Sequence, residues 1–230
     1  MKPLAQLTQS NLSGASLPFY FSDRKGSETG TLITDGHLLK FTLRDVPFSG
    51  SSFNLLSFPE IKKEKVIGLF DIDEFDTVLG VFSIEYPITI VEAGLETVTP
   101  IILQFDYTND KENISYSFNY QSVNYKSERL FSFVENALID LRQQLPNHCQ
   151  INCCLSCKYS SYHPAGNNDF GDLACFKYAK NALSYVKDKC ALLDVWENIY
   201  QENQLSQVQE TFICSEFMHC SEEDWLYKCY

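Results

Sequence analysis

The feature that most constrains this chain is a set of four cysteines in its second half. Cys154 and Cys157 are separated by two residues, and Cys175 and Cys214 follow at longer intervals. A two-residue spacing lets a tight turn point both sulfurs toward one centre, and four thiolates in a tetrahedron are a common structural zinc site. The spacing therefore predicts a structural zinc ion held by these four cysteines.

The remaining cysteines leave the choice of ligands open. All nine cysteines of the chain follow residue 148. The N-terminal residues contain no apolar stretch long enough for a signal peptide, so we expect a cytoplasmic protein with reduced thiols and no disulfides. Buried free thiols are the alternative interpretation. The sequence does not decide whether one of the other five cysteines replaces a predicted ligand. These are Cys149, Cys153, Cys190, Cys220 and Cys229.

Sequence motifs give little support for an enzyme. Catalytic zinc is disfavoured because such sites usually combine histidine and carboxylate ligands, and the four histidines form no His-x3-His pair. The phosphate-binding Gly-x4-Gly-Lys pattern and the Gly-x-Ser-x-Gly pattern of serine hydrolases are both absent. No catalytic residue is assigned on these grounds, and the chain is expected to be non-enzymatic.

The charge balance indicates which partners are compatible with the chain. It carries 30 acidic and 18 basic residues, a formal net charge of -12. Nucleic-acid binding needs a basic surface that displaces phosphate counterions, so it is disfavoured. No stretch approaches the roughly 20 apolar residues of a membrane helix. A basic protein is the partner that the charge favours, and nothing in the sequence indicates the oligomeric state.

The first 125 residues have the patterns of antiparallel strands. Asp35-Gly36, between the apolar runs 31–34 and 37–43, predicts a hairpin with a type I′ turn. The runs 101–107 and 114–120 alternate between apolar and polar residues and should pair as neighbours. Residues 84–90 alternate as well, and Pro87 places that strand at an edge or a bulge.

The second half has the periodicity of helices. Apolar residues recur every three or four positions from Leu130 to Leu145, which predicts a long packing helix capped by Ser127 and ended by Pro146. Further helices are predicted over 172–189, with Cys175 in the first turn, and over 191–200. Residues 208–213 are predicted to form a strand that leads to Cys214.

Several short motifs resemble an uncharacterised bacterial family of domains of unknown function. They are a Cys-x2-Cys pair, a Ser-x-Tyr-x-Pro turn, a Cys-Phe pair and a late Cys-x-Glu-Phe, found at 154–157, 160–164, 175–176 and 214–217. The resemblance covers about residues 100 to 217. It implies the same four ligands, Cys154, Cys157, Cys175 and Cys214, and no known activity.

Together these patterns predict an α+β protein with a β-rich region over 1–125 and a helical, cysteine-rich zinc-binding region over 126–230, packed as one unit. The leading functional hypothesis is a non-enzymatic acidic binding protein, in its most concrete form an immunity or antitoxin-like protein. One alternative is an enzyme with a site near Tyr162, His163, Asn168 and Asp169. Another is a thiol redox sensor that uses Cys149 and Cys153.

Overall fold

The computed structural model describes most of the 230-residue chain. The described residues are 15–60, 63–108, 112–166, 168–201, 205–221 and 223–228. Cys229, one of the five alternative ligands, lies outside them.

Strands dominate the first two thirds of the described chain, and short helices and strands follow. In order, the elements are β1 Ala15–Asp23, β2 Gly26–Thr34, β3 Leu39–Leu43, β4 Val46–Gly50, α1 Lys63–Leu69, β5 Asp71–Ile72, β6 Val78–Leu79, β7 Val81–Glu92, β8 Leu95–Asp106, β9 Asn113–Tyr120, β10 Val123–Lys126, α2 Val134–Gln144, β11 Cys149–Asn152, β12 Ser160–Ser161, β13 Leu173–Cys175, α3 Lys180–Leu183, α4 Lys189–Gln201 and β14 Ser206–Val208. A 3₁₀ turn at Cys154–Ser156 follows β11.

Nine of these strands form one antiparallel sheet. Its order is β10-β9-β8-β7-β1-β2-β3-β4, and β11 also pairs with β7. The strands β12, β13 and β14 form a second, smaller sheet, and β5 pairs with β6. The prediction of an antiparallel, β-rich first part is therefore confirmed.

The predicted hairpins are present, although one turn differs from the prediction. β8 and β9 are antiparallel neighbours, as predicted, and the structure places Ile101 opposite Phe118. β2 and β3 pair on either side of Asp35-Gly36, but four residues connect them, so the connection is not a two-residue type I′ turn. Only glycine fits at position 36, because its φ is +88° and a Cβ would lie 2.5 Å from the ring of Phe212.

Pro87 does not mark an edge strand, contrary to the sequence-based expectation. It lies in the middle of β7, opposite Pro100 of β8. On the other side of β7, β1 is in register with residues 81–84 and β11 with residues 89–92. Proline is compatible with this position because residue 87 falls in the interval where neither β1 nor β11 pairs with β7.

Helix α2 packs against the sheet as predicted, but it begins later than expected. Its buried face includes Val134, Ala137, Leu138 and Leu141. Ser127 is not its N-cap, because the side chain of Ser127 instead accepts a hydrogen bond from the backbone N–H of Tyr116 at 3.2 Å. The helix ends at Gln144, just before Pro146, as the sequence predicts.

The cysteine-rich region is mixed rather than helical, so the predicted helix over 172–189 is wrong. Its beginning is the strand β13, which lies between β12 and β14, and only Lys180–Leu183 is helical. Cys175 therefore lies in a strand and not in the first turn of a helix. The helix predicted over 191–200 is present as α4. The strand predicted over 208–213 is wrong, because the strand β14 is Ser206–Val208 and shares only Val208 with that range.

Phe170 belongs to the cysteine-rich region, and its side chain packs in the core of the main sheet. Its side chain is fully buried and its ring centroid lies 5.1 Å from Phe105, 6.1 Å from Tyr86 and 6.4 Å from Phe53. Aromatic pairs at such separations add to the free energy gained by removing the rings from water.

We expect Phe170→Ala to lower the free energy of unfolding by about 3–5 kcal/mol, because it leaves a cavity among buried aromatic rings. Urea denaturation followed by tryptophan fluorescence measures the change. The matched control is Phe75→Ala, which removes a ring that is 80% exposed and should change stability by no more than about 0.5 kcal/mol. Equal effects of the two substitutions would contradict the assigned packing of Phe170.

Candidate metal centres

The Cys154–Cys157 segment forms a tight turn with its own hydrogen bonds. The backbone N–H of Cys157 donates to the carbonyl of Cys154 at 3.1 Å. The Ser156 hydroxyl donates to the carbonyl of Ile151 at 2.7 Å and accepts from the N–H of Cys153 at 3.1 Å. The two-residue spacing thus folds locally into the kind of turn that a pair of metal-ligating thiols requires.

Cys175 is brought to this turn by the small sheet. It ends β13 and lies in register with Ser160 of β12. The backbone N–H of Tyr159 approaches the sulfur of Cys157 at 3.5 Å, and the N–H of Lys177 hydrogen-bonds the sulfur of Cys175. In both cases the donor lies two residues after the cysteine, an arrangement that stabilises negative charge on the sulfur.

Cys214 reaches the same place through a buried segment, residues 209–211. The N–H of Cys154 donates to the carbonyl of Phe212 at 2.5 Å, and the N–H of Leu155 donates to the carbonyl of Glu210 at 3.1 Å. A turn then begins at Cys214, whose carbonyl accepts from the N–H of Phe217 at 3.1 Å. These backbone contacts hold the last predicted ligand beside the first.

All four predicted ligands line one enclosed cavity of about 10 Å³, together with Tyr159, Ser160, Lys177, Glu216 and Phe217. This space accommodates about one water-sized sphere. Cys154, Cys157 and Cys175 are buried, and Cys214 is partly exposed. None of Cys149, Cys153, Cys190 and Cys220 lines the cavity.

Burial and the neighbouring thiols raise the pKa of two of the four thiols, Cys154 and Cys175. Burial raises the pKa of Cys154 well above its usual range, and the neighbouring Cys175 and Cys157 raise it further. Burial also raises the pKa of Cys175, while the N–H of Lys177 opposes the shift. A bound cation would reverse this balance, because a metal ion deprotonates the thiols that coordinate it.

A second group of possible ligands was missed by the sequence reasoning. Glu92, His148 and Cys149 place one ligand atom each within 4.8 Å of one another, so this group could hold a metal ion. Among the described residues, no three of the four cavity sulfurs meet that distance criterion. The only linear signal was the adjacency of His148 and Cys149, because Glu92 joins them through strand pairing alone.

Each residue of the alternative enzyme site contacts a different neighbour. The His163 ring packs edge-on against Trp196 with centroids 4.9 Å apart, whereas Asp169 accepts a hydrogen bond from Asn54 at 2.9 Å. Tyr162 is fully buried and donates to Glu210 at 2.9 Å. Asn168 donates to Glu135 at 3.4 Å. These contacts account for each side chain by packing or internal hydrogen bonding.

The two thiols of the redox alternative are poor nucleophiles in this fold. Cys153 is fully buried, and burial raises its pKa to about 11. Burial, and then the charge of Glu92, also raises the pKa of Cys149. Because the thiolate is the reactive form, both shifts slow oxidation at neutral pH.

Comparison with known proteins identifies the family. The model of a family of unknown function, DUF6304, matches residues 16–160, more than half of the chain, and the chain belongs to this family. The match includes Cys154 and Cys157 but ends before Cys175 and Cys214. The family match also covers most of the first 100 residues, whereas the resemblance described from the sequence motifs begins only at about residue 100.

No curated protein matches the chain, and no solved structure does either. In the described part of the chain, none of the helices has the length and apolar character required to cross a membrane.

The buried carboxyl group of Glu210 predicts how the stability of the protein depends on pH. It is fully buried, accepts hydrogen bonds from Tyr162 and from the N–H of Gly171, and has its pKa raised to about 8 by burial. The folded state therefore retains a proton that the unfolded state loses near pH 4.5. The contribution of Glu210 to the free energy of unfolding is therefore fully present below pH 4.5. It is lost as the pH rises toward about 8.

We expect Glu210→Gln to make the decrease in the free energy of unfolding between pH 5 and pH 8 shallower than in the wild type. One such group contributes at most about 1.4 kcal/mol per pH unit. Some slope should remain, because burial also raises the pKa of Glu112 to about 7. Urea unfolding at fixed pH values measures the slope, with the exposed Glu96→Gln as control. An unchanged slope in Glu210→Gln would show that Glu210 is ionised in the folded protein.

Proposed function

We propose that this protein is a non-enzymatic binding protein whose second half is held together by a structural zinc ion on Cys154, Cys157, Cys175 and Cys214. The observation that carries the metal assignment is that all four thiols line one cavity the size of a single small occupant. Four soft sulfur donors are the ligand set of structural zinc and leave no position for a reacting water molecule.

Zinc binding would require a small rearrangement of the side chains. With Zn–S distances near 2.3 Å, tetrahedral geometry separates the sulfurs by roughly 3.8 Å. The four sulfurs surround the cavity at wider spacing, so the thiols would rotate inward as they lose their protons. The N–H groups of Tyr159 and Lys177 already lie beside two of the sulfurs. They would stabilise the net negative charge of a four-thiolate centre.

The proposed ion would join three segments that the sequence keeps far apart. These are the turn at 154–157, the strand β13 and the turn that begins at Cys214. Each contributes only a short stretch of hydrogen-bonded structure. Zinc binding in small modules supplies on the order of 10 kcal/mol or more of folding free energy. Such an ion would therefore fix the position of the whole cysteine-rich region.

The binding role is supported by charge and by the form of the proposed metal site. A formal net charge of -12 favours a basic protein as partner and disfavours nucleic acid. An immunity or antitoxin-like protein that neutralises a basic toxin is the most concrete form of this proposal. A cytoplasmic location and a bacterial source remain predictions from the sequence.

We expect Cys157→Ser and Cys175→Ser each to lose about one zinc ion per chain relative to the wild type, with a large loss of stability. Elemental mass spectrometry on protein purified under reducing conditions measures the zinc. The matched control is Cys190→Ser, since Cys190 is an exposed cysteine on α4, remote in sequence from the four ligands. If Cys175→Ser retains the same zinc content as Cys190→Ser, the four-thiol site is excluded.

We expect proteins retained by the immobilised chain at low salt to be enriched in basic proteins and to dissociate as ionic strength rises, because salt screens charge attraction. Quantitative mass spectrometry of the fractions eluted at increasing salt measures this enrichment. An unrelated protein of equal net charge serves as control. Identical profiles for the two proteins would contradict a specific basic partner.

A further inference from the structure

We propose that Glu92, His148 and Cys149 form a second metal site, which binds a zinc-like divalent ion with three protein ligands and one open coordination position. Their three ligand atoms lie within 4.8 Å of one another. This site is independent of the four-thiol cavity, since the two share no residue.

The main sheet builds this site through strand register. Cys149 begins β11 and lies directly opposite Glu92, the last residue of β7. Directly opposed residues of antiparallel strands have Cβ atoms about 4.5–5.5 Å apart, so the pairing itself sets the distance between thiol and carboxylate. His148 precedes β11 and reaches back to Glu92, with its Nε2 atom 2.7 Å from the Oε1 atom of Glu92. The three ligands are therefore placed by the backbone of the sheet.

The carboxylate of Glu92 is held in one orientation by neighbours that are not ligands. Its Oε2 atom accepts hydrogen bonds from the hydroxyl of Tyr120 at 2.8 Å and from the side-chain amide of Gln121 at 2.5 Å. This leaves Oε1 directed toward His148. Hydrogen bonds of this kind orient metal-ligating carboxylates in known metal sites.

Gln121 lies in a tight turn with a left-handed backbone conformation. Gln121 and Ser122 form the two-residue turn between β9 and β10 with φ values of 48° and 65°. Glycine and asparagine normally occupy such positions, because other side chains are strained there. The glutamine in this turn directs its side-chain amide onto Glu92.

The donor set determines the class of ion. An imidazole nitrogen, a thiolate sulfur and a carboxylate oxygen together suit zinc and similar divalent transition metals rather than calcium or magnesium, which prefer oxygen ligands alone. In the metal-free protein the Nε2 atom of His148 and the Oε1 atom of Glu92 form a hydrogen bond with one proton between them. The ion would replace that proton and the proton of the Cys149 thiol, and the His148–Glu92 distance would open as both atoms turned toward the metal.

The open position would face an accessible groove. Glu92 and His148 lie on the wall of a groove of about 610 Å³, together with Thr97, Thr99, Asn119 and Tyr120. The side chain of His148 is 63% exposed and that of Glu92 is 29% exposed. Three-ligand zinc sites keep their fourth position for water or an incoming ligand. Water, or a small anionic ligand that enters from the groove, is the occupant that this geometry admits.

The test is metal stoichiometry together with a spectroscopic probe of the ligand sulfur. Wild-type protein saturated with zinc and freed of excess should hold about two ions per chain, and His148→Ala and Cys149→Ser should each hold about one. His148 is an exposed residue, so its substitution should leave the protein folded, which circular dichroism verifies. Glu96→Gln and Cys190→Ser are matched controls and should retain both ions.

Cobalt distinguishes the two sites because thiolate-bound Co²⁺ has characteristic charge-transfer absorption. We expect Cys149→Ser to lose the smaller part of this absorption, which comes from the single thiolate of the second site, while Cys175→Ser loses a larger part, which comes from the four-thiol site. If folded His148→Ala and Cys149→Ser both bind as much metal as the controls, the second site is excluded, whatever the result for Cys175→Ser. The four-thiol proposal fails separately if Cys175→Ser retains as much metal as Cys190→Ser, whatever the results for His148→Ala and Cys149→Ser.

Discussion

The structure depends on the burial of the segment 209–211 against the main sheet. Gln209, Glu210 and Thr211 are all fully buried, although their side chains are polar. Gln209 accepts hydrogen bonds from Tyr86 and from Thr34, and Glu210 accepts them from Tyr162 and Gly171. A buried polar group that loses its partner costs about 1–3 kcal/mol, so these hydrogen bonds favour the observed register of the segment. The N-terminal sheet and the C-terminal segment thereby fix each other.

The geometry of the four-thiol cavity follows from this contact. The carbonyls of Glu210 and Phe212 accept hydrogen bonds from the turn that carries Cys154, and Cys214 lies two residues beyond Phe212. The same segment continues from β14, which pairs with the strand that ends in Cys175. The thiols are thus brought together by hydrogen bonds formed without a metal. A zinc ion would complete an arrangement that the fold has prepared, and the free energy of its binding would be added to the stability of this region.

Local patterns predicted the fold where burial alternates regularly, and they were wrong where tertiary pairing overrides local preference. The strands at 101–107 and 114–120 have one buried face, which the alternation reveals. Residues 173–175 are buried on every side between β12 and β14, so their apolar run is indistinguishable from the inner face of a helix. The four cysteines that line one cavity were predicted as ligands from the Cys-x2-Cys spacing and from the resemblance to a family. The pairing of Glu92 with Cys149 depends on the register of β11, which no local pattern specifies.

The two candidate centres differ in what their surroundings permit. The four-thiol cavity is enclosed and its ligands saturate a tetrahedral ion, so its effect would be confined to stability. Glu92 and His148 instead border a groove, and a set of three ligands would leave an ion open to solvent. All three ligands of the second centre lie inside the segment 16–160 that defines the family, whereas only Cys154 and Cys157 of the first centre do. An ion in the first centre would act on stability alone, whereas an ion at the end of β7 would also be able to bind a ligand from the groove.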